Sequence, residues 1–137
     1  MLDQKRVFDA LREEGVTFFT GVPDSYLNGF CNYALQNCAE RNVIAANEGN
    51  AIALAAGHYF ATRELPLVYM QNSGMGNAVN PLASLVDEHV YAVPMLLLIG
   101  WRGRPGSGDW PQHELQGEIT CDLLELLHIP YVILEDD

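Results

Sequence analysis

The chain has 137 residues, with 18 Asp plus Glu against 7 Lys plus Arg and a formal net charge of -11. Hydrophobic residues make up 49% and charged residues 18%, the composition of one folded domain and not of a disordered tail. So acidic a chain lacks the basic footprint that nucleic acid and anionic membrane surfaces require.

Residues 2–14 set Leu2, Val7, Phe8 and Leu11 among charged residues, a helical stripe ended by Gly15. Residues 17–20 are β-branched and aromatic and read as a strand, broken by Gly21, Val22 and Pro23. Asp24 or Ser25 is expected to cap a second helix running to about Cys38. A second strand is expected over 43–46, then a helix from Asn47 or Glu48 through the Ala-rich AIALAAGHYFAT. Residues 67–70 form a third strand, entered through Pro66. A helix from about Asn77 to Val86 follows, with a possible kink at Pro81. The apolar PMLLLI over 94–99 predicts a strand buried on both faces. Residues 100–116 read as a long Gly- and Pro-rich loop, 118–128 as the last helix and 131–134 as a fifth strand.

Strands and helices in alternation specify an α/β fold, with a mainly parallel sheet covered by helices on both faces. Ligands of such sheets collect at the C-terminal ends of the strands. Polar residues and glycines concentrate at four such ends, residues 21–25, 47–50, 71–77 and 100–113.

The cysteines Cys31, Cys38 and Cys121 form no CxxC pair and suggest neither a disulfide framework nor a zinc site. No apolar run approaches membrane-spanning length, and the first residues read as an amphipathic helix, so a cytoplasmic location is the default expectation. The acids from Asp109 onward (Glu114, Glu118, Asp122, Glu125, Glu135, Asp136 and Asp137 follow it) meet no Lys or Arg and read as a solvated face.

Glu48 follows a strand and opens a helix. A first-turn glutamate is often only a partner of the helix dipole. Here small residues flank it on both sides (Ala45, Ala46, Gly49, Ala51), and the position is one where a ligand would lie. The segment QNSGMGNAVNP lacks both the dinucleotide fingerprint and a GKS/T phosphate loop, but is rich in amides through Gln71, Asn72, Asn77 and Asn80. No nucleophile elbow is present. The loop GWRGRPGSGDWPQH gathers Arg102, Arg104 and His113, groups suited to a phosphonate or carboxylate. His58 and His128 read as structural, and His89 lies in a turn.

With these residues assembled, the chain resembles the N-terminal half of the phosphonopyruvate decarboxylases. FFTGVPDS, IAANEGNAIALAAGHYFAT, PLVYMQNSGMGNAVNPLASL and VPMLLLIGWRGRPG carry the likeness, which extends over nearly the whole chain. The α subunits of sulfopyruvate decarboxylase are next in similarity. The resemblance implies a three-layer α/β/α pyrimidine-binding (PYR) domain over residues 1–137, serving a thiamine-diphosphate-dependent 2-keto acid decarboxylase. The diphosphate and Mg²⁺ would be held by a second domain, with a GDG motif that this sequence lacks. A partner domain or β subunit, in a homo- or hetero-oligomer, is implied with it.

By the same resemblance Glu48 would bond N1′ of the aminopyrimidine and share a proton with it. Ser25, with Asp24 beside it, would supply a polar active-site group. Val22 and Pro23 would form wall, and Asn72 and Gly74 would lie by the pyrimidine or the substrate. Arg102, Arg104 and His113 would face the anionic end of a small 2-keto acid. The paired histidines of many decarboxylating relatives are absent after the fourth strand. A PYR-like module kept for assembly alone is the reading from another class, and the presence of Glu48 speaks against it.

Overall fold

The computed structural model describes residues 3–134. Leu2 of the first helical stripe and the acids Glu135, Asp136 and Asp137 lie outside the described residues. In chain order the elements are α1 (Gln4–Glu13), β1 (Val16–Gly21), α2 (Asn28–Asn37), β2 (Asn42–Ile44), α3 (Glu48–Thr62), β3 (Leu65–Gln71), α4 (Met75–Pro81), β4 (Leu96–Gly100) and α5 (Pro111–Leu126). All strand pairings are parallel, in the order β2-β1-β3-β4.

Two apolar cores, one on each face of the sheet, make the three layers. Alternate residues of β3 divide between them, as the two-residue period of a strand requires. Val68 and Met70 join Ile52, Ala55, Met75, Ala78 and Leu124 under α3, α4 and α5. Leu67 and Tyr69 join Phe8, Phe19, Phe30 and Ala34 under α1 and α2. The aromatic rings of the second core stack closely, with Phe8 and Phe30 centroids 4.6 Å apart.

Local chemistry sets the ends of the helices. The Asp3 carboxylate accepts from the main-chain N–H groups of Lys5 and Arg6 and caps α1. Asn47 caps α3 by accepting from Asn50 N at 2.9 Å. Pro111 starts α5 at a position where a missing N–H costs nothing.

Five expectations from the sequence are corrected. The second helix is capped by neither Asp24 nor Ser25. Asp24 closes a tight turn, taking a bond from Tyr26 N, and α2 begins only at Asn28. The last helix starts at Pro111 instead of 118, because QHELQG continues its turns and the glycine at 117 is tolerated. The apolar run of β4 is not buried on both faces. No described strand lies beyond β4, so it is the sheet edge, and Leu96 stays exposed. Residues 131–134 form no strand, and the apolar side chains of Val132 and Leu134 are open to solvent. The fourth helical region also begins earlier than Asn77. A 3-10 turn over Asn72–Gly74 leads into α4, and Pro81 marks the change to a π turn over Leu82–Val86.

Candidate functional site

Because the strands are parallel, Gly21, Ile44, Gln71 and Gly100 end at one edge of the sheet. Main-chain bonds from Ala45 N to Gly21 O and from Val22 N to Tyr69 O hold the exits in line. Two groups of side chains are built on this edge.

The first group centres on Glu48. Its place at the start of α3 points it along the edge, across β1, to the segment that follows β3. Asn77 donates from its side-chain amide to Glu48 Oε2 at 2.8 Å. The rest of the Glu48 side chain lies over Gly74, in the space that a Cβ on that residue would need. The Gly74 backbone is ordinary helix (φ -73, ψ -15), so glycine is required by the contact and not by the dihedrals. Gly49 makes a parallel arrangement. A Cβ there would stand 2.8 Å from the Asn77 carbonyl oxygen. That carbonyl is the one whose helical partner would be residue 81, and proline has no N–H to offer. Glycine at 49 and proline at 81 thus let α3 and α4 approach, and the approach sets Asn77 against Glu48. Glu48 itself is half-buried.

The second group joins the loop after β1 to the loop after β4. Asp24 is buried, and its carboxylate lies against the Gly100 α-carbon, where a side chain would clash. Ser25 is exposed and accepts from Arg102 Nη1 at 3.2 Å. The Arg102 guanidinium lies 4.6 Å from the centre of the Tyr26 ring. One edge of the guanidinium is taken by Asp109, with Nε and Nη2 each 2.7 Å from a carboxylate oxygen. The fork holds the Asp109 carboxyl well below the usual carboxylate range and pushes the Arg102 guanidinium further up.

Asn72 ties the β3 and β4 exits together. It is buried, receives Arg102 N at Oδ1 and donates to Arg102 O and Thr120 Oγ1. Its amide is therefore spent on the scaffold. Val22 is half-buried and Pro23 is exposed beside it. Arg104 packs against Trp101, whose indole N–H donates to Gly117 O. His113 lies in the first turn of α5, not in the loop. Gly103 has φ +68, and its α-carbon meets the His113 carbonyl, so both conformation and space demand glycine. A cavity of about 290 Å³ under this loop sets Arg104 among Asp109, Glu114 and Glu118. Three carboxylates make it a poor seat for an anion.

The structure thus gathers Glu48 with Gly74, and Asp24 and Ser25 with Arg102. Three contributors had little or no sequence signal. Asn77 was visible only as one amide among several, while Tyr26 and Asp109 carried none. Among the described residues no cluster of His, Cys, Asp and Glu could hold a metal ion, and no helix is long and apolar enough to cross a membrane. The three cysteines are free.

Residues 4–126 match the family described as "Thiamine pyrophosphate enzyme, N-terminal TPP binding domain". The chain belongs to this family. The TPP binding domain is 43% identical over 122 residues to a phosphonopyruvate decarboxylase of Streptomyces viridochromogenes, covering 89% of this chain and 30% of that one. It is 35% identical to the sulfopyruvate decarboxylase subunit alpha of Methanococcus maripaludis, covering 91% of this chain and 72% of the relative. The fold of this TPP binding domain matches a benzoylformate decarboxylase from Polynucleobacter necessarius with a TM-score of 0.61 at 25% identity, over 72% of this chain and 18% of the other. The chain therefore spans about a third of the length of the phosphonopyruvate decarboxylases it matches.

Proposed function

We propose that residues 1–137 are the pyrimidine-holding domain of a thiamine-diphosphate-dependent 2-keto acid decarboxylase, with phosphonopyruvate as substrate and phosphonoacetaldehyde and CO₂ as products. One observation carries the reading. Glu48 stands at the strand-end edge with its carboxylate oriented by Asn77 and seated on Gly74, within a chain that belongs to the TPP-binding family. The cofactor would supply the carbanion that attacks the keto carbon. Glu48 would hold a proton at the ring nitrogen of the aminopyrimidine, and its seat over Gly74 would fix the direction in which the carboxylate meets the ring. Val22 and Pro23 would wall the same end.

A glutamate doing this work needs a site closed to water. Glu48 is half-buried in this chain alone, so a second surface is required to cover it. We assign that surface to a diphosphate-binding domain, in the same polypeptide or in a partner subunit, which would also hold Mg²⁺. The assembly would be an oligomer in the cytoplasm. Ser25 and Asp24 would face the reacting centre, and Arg102, Arg104 and His113 would form the cationic side toward the substrate's anionic end.

Sulfopyruvate is the second reading, favoured by the likeness to the sulfopyruvate decarboxylase subunit alpha. The chain assembled with a diphosphate-binding partner, thiamine diphosphate and Mg²⁺ should release phosphonoacetaldehyde, and Glu48→Gln should abolish it. Faster turnover of sulfopyruvate at matched concentration reverses the substrate assignment. No turnover of either acid leaves an assembly module.

A further inference from the structure

Asp109 counts in the sequence only as one acid of an acidic tail, yet in the structure it is the hub of the loop after β4. Its carboxylate accepts Arg102 Nε and Nη2 at 2.7 Å each, Gly103 N at 2.9 Å and Trp110 N at 2.7 Å. The Tyr26 hydroxyl stands 3.4 Å away. Both members of the pair are shielded, with side chains 14% and 4% exposed for Arg102 and Asp109. Two of the three guanidinium nitrogens are thereby fixed, and a planar fork held at two corners has no freedom at the third. That third nitrogen, Nη1, is the one that donates to Ser25 Oγ.

We propose that Asp109 is a positioning residue of the active site, gripping Arg102 so that Nη1 orients the Ser25 hydroxyl. This role rests on the function proposed above. An ion pair this close has little net charge, so it adds geometry to the site and not attraction for an anion. Breaking the fork while both charges stay in place should therefore appear in kcat and not in KM. Because Asp109 acts through Arg102 on Ser25, the effect should also vanish once Ser25 has no hydroxyl.

The test is a double-mutant cycle in the assembled enzyme, with kcat expressed per cofactor-loaded site. Asp109→Asn and Arg102→Lys are each combined with Ser25→Ala. Lysine at 102 keeps the charge and leaves the main-chain bonds to Asp109 intact, so it breaks the fork even if the asparagine variant fails to fold. In the wild-type background each should lower kcat by about tenfold or more, and Arg102→Lys, which keeps the charges balanced, should move KM by less than about threefold. In the Ser25→Ala background each should cost less than about twofold. Additive losses, an unchanged kcat for Arg102→Lys, or a fully active Ser25→Ala would overturn the role. An inactive wild-type assembly removes the proposed decarboxylase function, and this role with it. An active wild type with additive variants removes this role alone.

Discussion

The Glu48 carboxylate rests on the α-carbon of Gly74, filling the place where any other residue would carry its Cβ. The two residues follow different strands, β2 and β3, which are not neighbours in the sheet. Their contact depends on α3 and α4 lying close, which Gly49 permits. Three separate glycine and proline choices therefore converge on the direction of one side chain.

Gly74→Ala should leave the fold nearly intact, since alanine suits its backbone dihedrals. What must move is the flexible Glu48 side chain. The expected outcome is a stability change within about 1 kcal/mol by chemical denaturation. Turnover of the assembled enzyme should drop by about tenfold or more. Full turnover would show that Glu48 does not need this seat.

Asn77→Ala removes the amide that donates to Glu48, and Asn77→Asp replaces it with a like charge. A hydrogen bond to a charged group contributes about 1.5 kcal/mol or more, or roughly tenfold in an equilibrium. Calorimetric titration of the assembled enzyme with thiamine diphosphate should show weaker binding for alanine and weaker still for aspartate. Equal affinity in all three forms would count against a role for Asn77 in orienting Glu48.

Gly49→Ala sets a methyl group against main chain and not against a movable side chain, at 2.8 Å from the Asn77 carbonyl oxygen. Backbone cannot yield as Glu48 can, so this substitution should cost stability, by about 1–3 kcal/mol. Urea unfolding of the variant should show an earlier midpoint with an unchanged slope. A wild-type midpoint would mean that α3 and α4 separate freely.

Tyr69 gives the chain an alkaline limit. Burial pushes its hydroxyl up to about 12, and the phenol donates to Asn42 Oδ1 at 3.0 Å. The raised value means that the unfolded chain loses this proton first, near the ordinary tyrosine value of about 10. The stabilisation is therefore complete below about pH 10 and is lost as the pH rises toward 12. In Tyr69→Phe that part of the decline should disappear from unfolding midpoints measured across this range, although the variant starts lower for want of the bond to Asn42. An identical slope in both proteins would place the titrating group elsewhere.

The element order was legible because period and punctuation are local. The β-branched and aromatic run over 17–20 and the helix start at Asn47 or Glu48 are marked within a few residues, and so is the break at Gly15. The position of Glu48 at the strand-end edge was legible too, since the strand before it and the helix after it are both marked locally. Burial of β4 was not, because PMLLLI reads the same in the middle of a sheet and at its edge. Nor was the failure of residues 131–134 to join the sheet. Their β-branched pattern satisfies a strand, but a strand exists only where a partner is within hydrogen-bonding reach.

By itself, then, the sequence determined the α/β class, the strand-end edge where polar residues and glycines collect, and the place of Glu48 on that edge. Tertiary structure alone decided the partners. Asn77 meets Glu48 across an intervening strand, and Asp109 takes up the arginine that composition had offered to a substrate. The reason is physical. Periodicity encodes which face of an element is buried, whereas a hydrogen bond between loops depends on strand order and on how closely two backbones can approach, and both are set only when the layers pack.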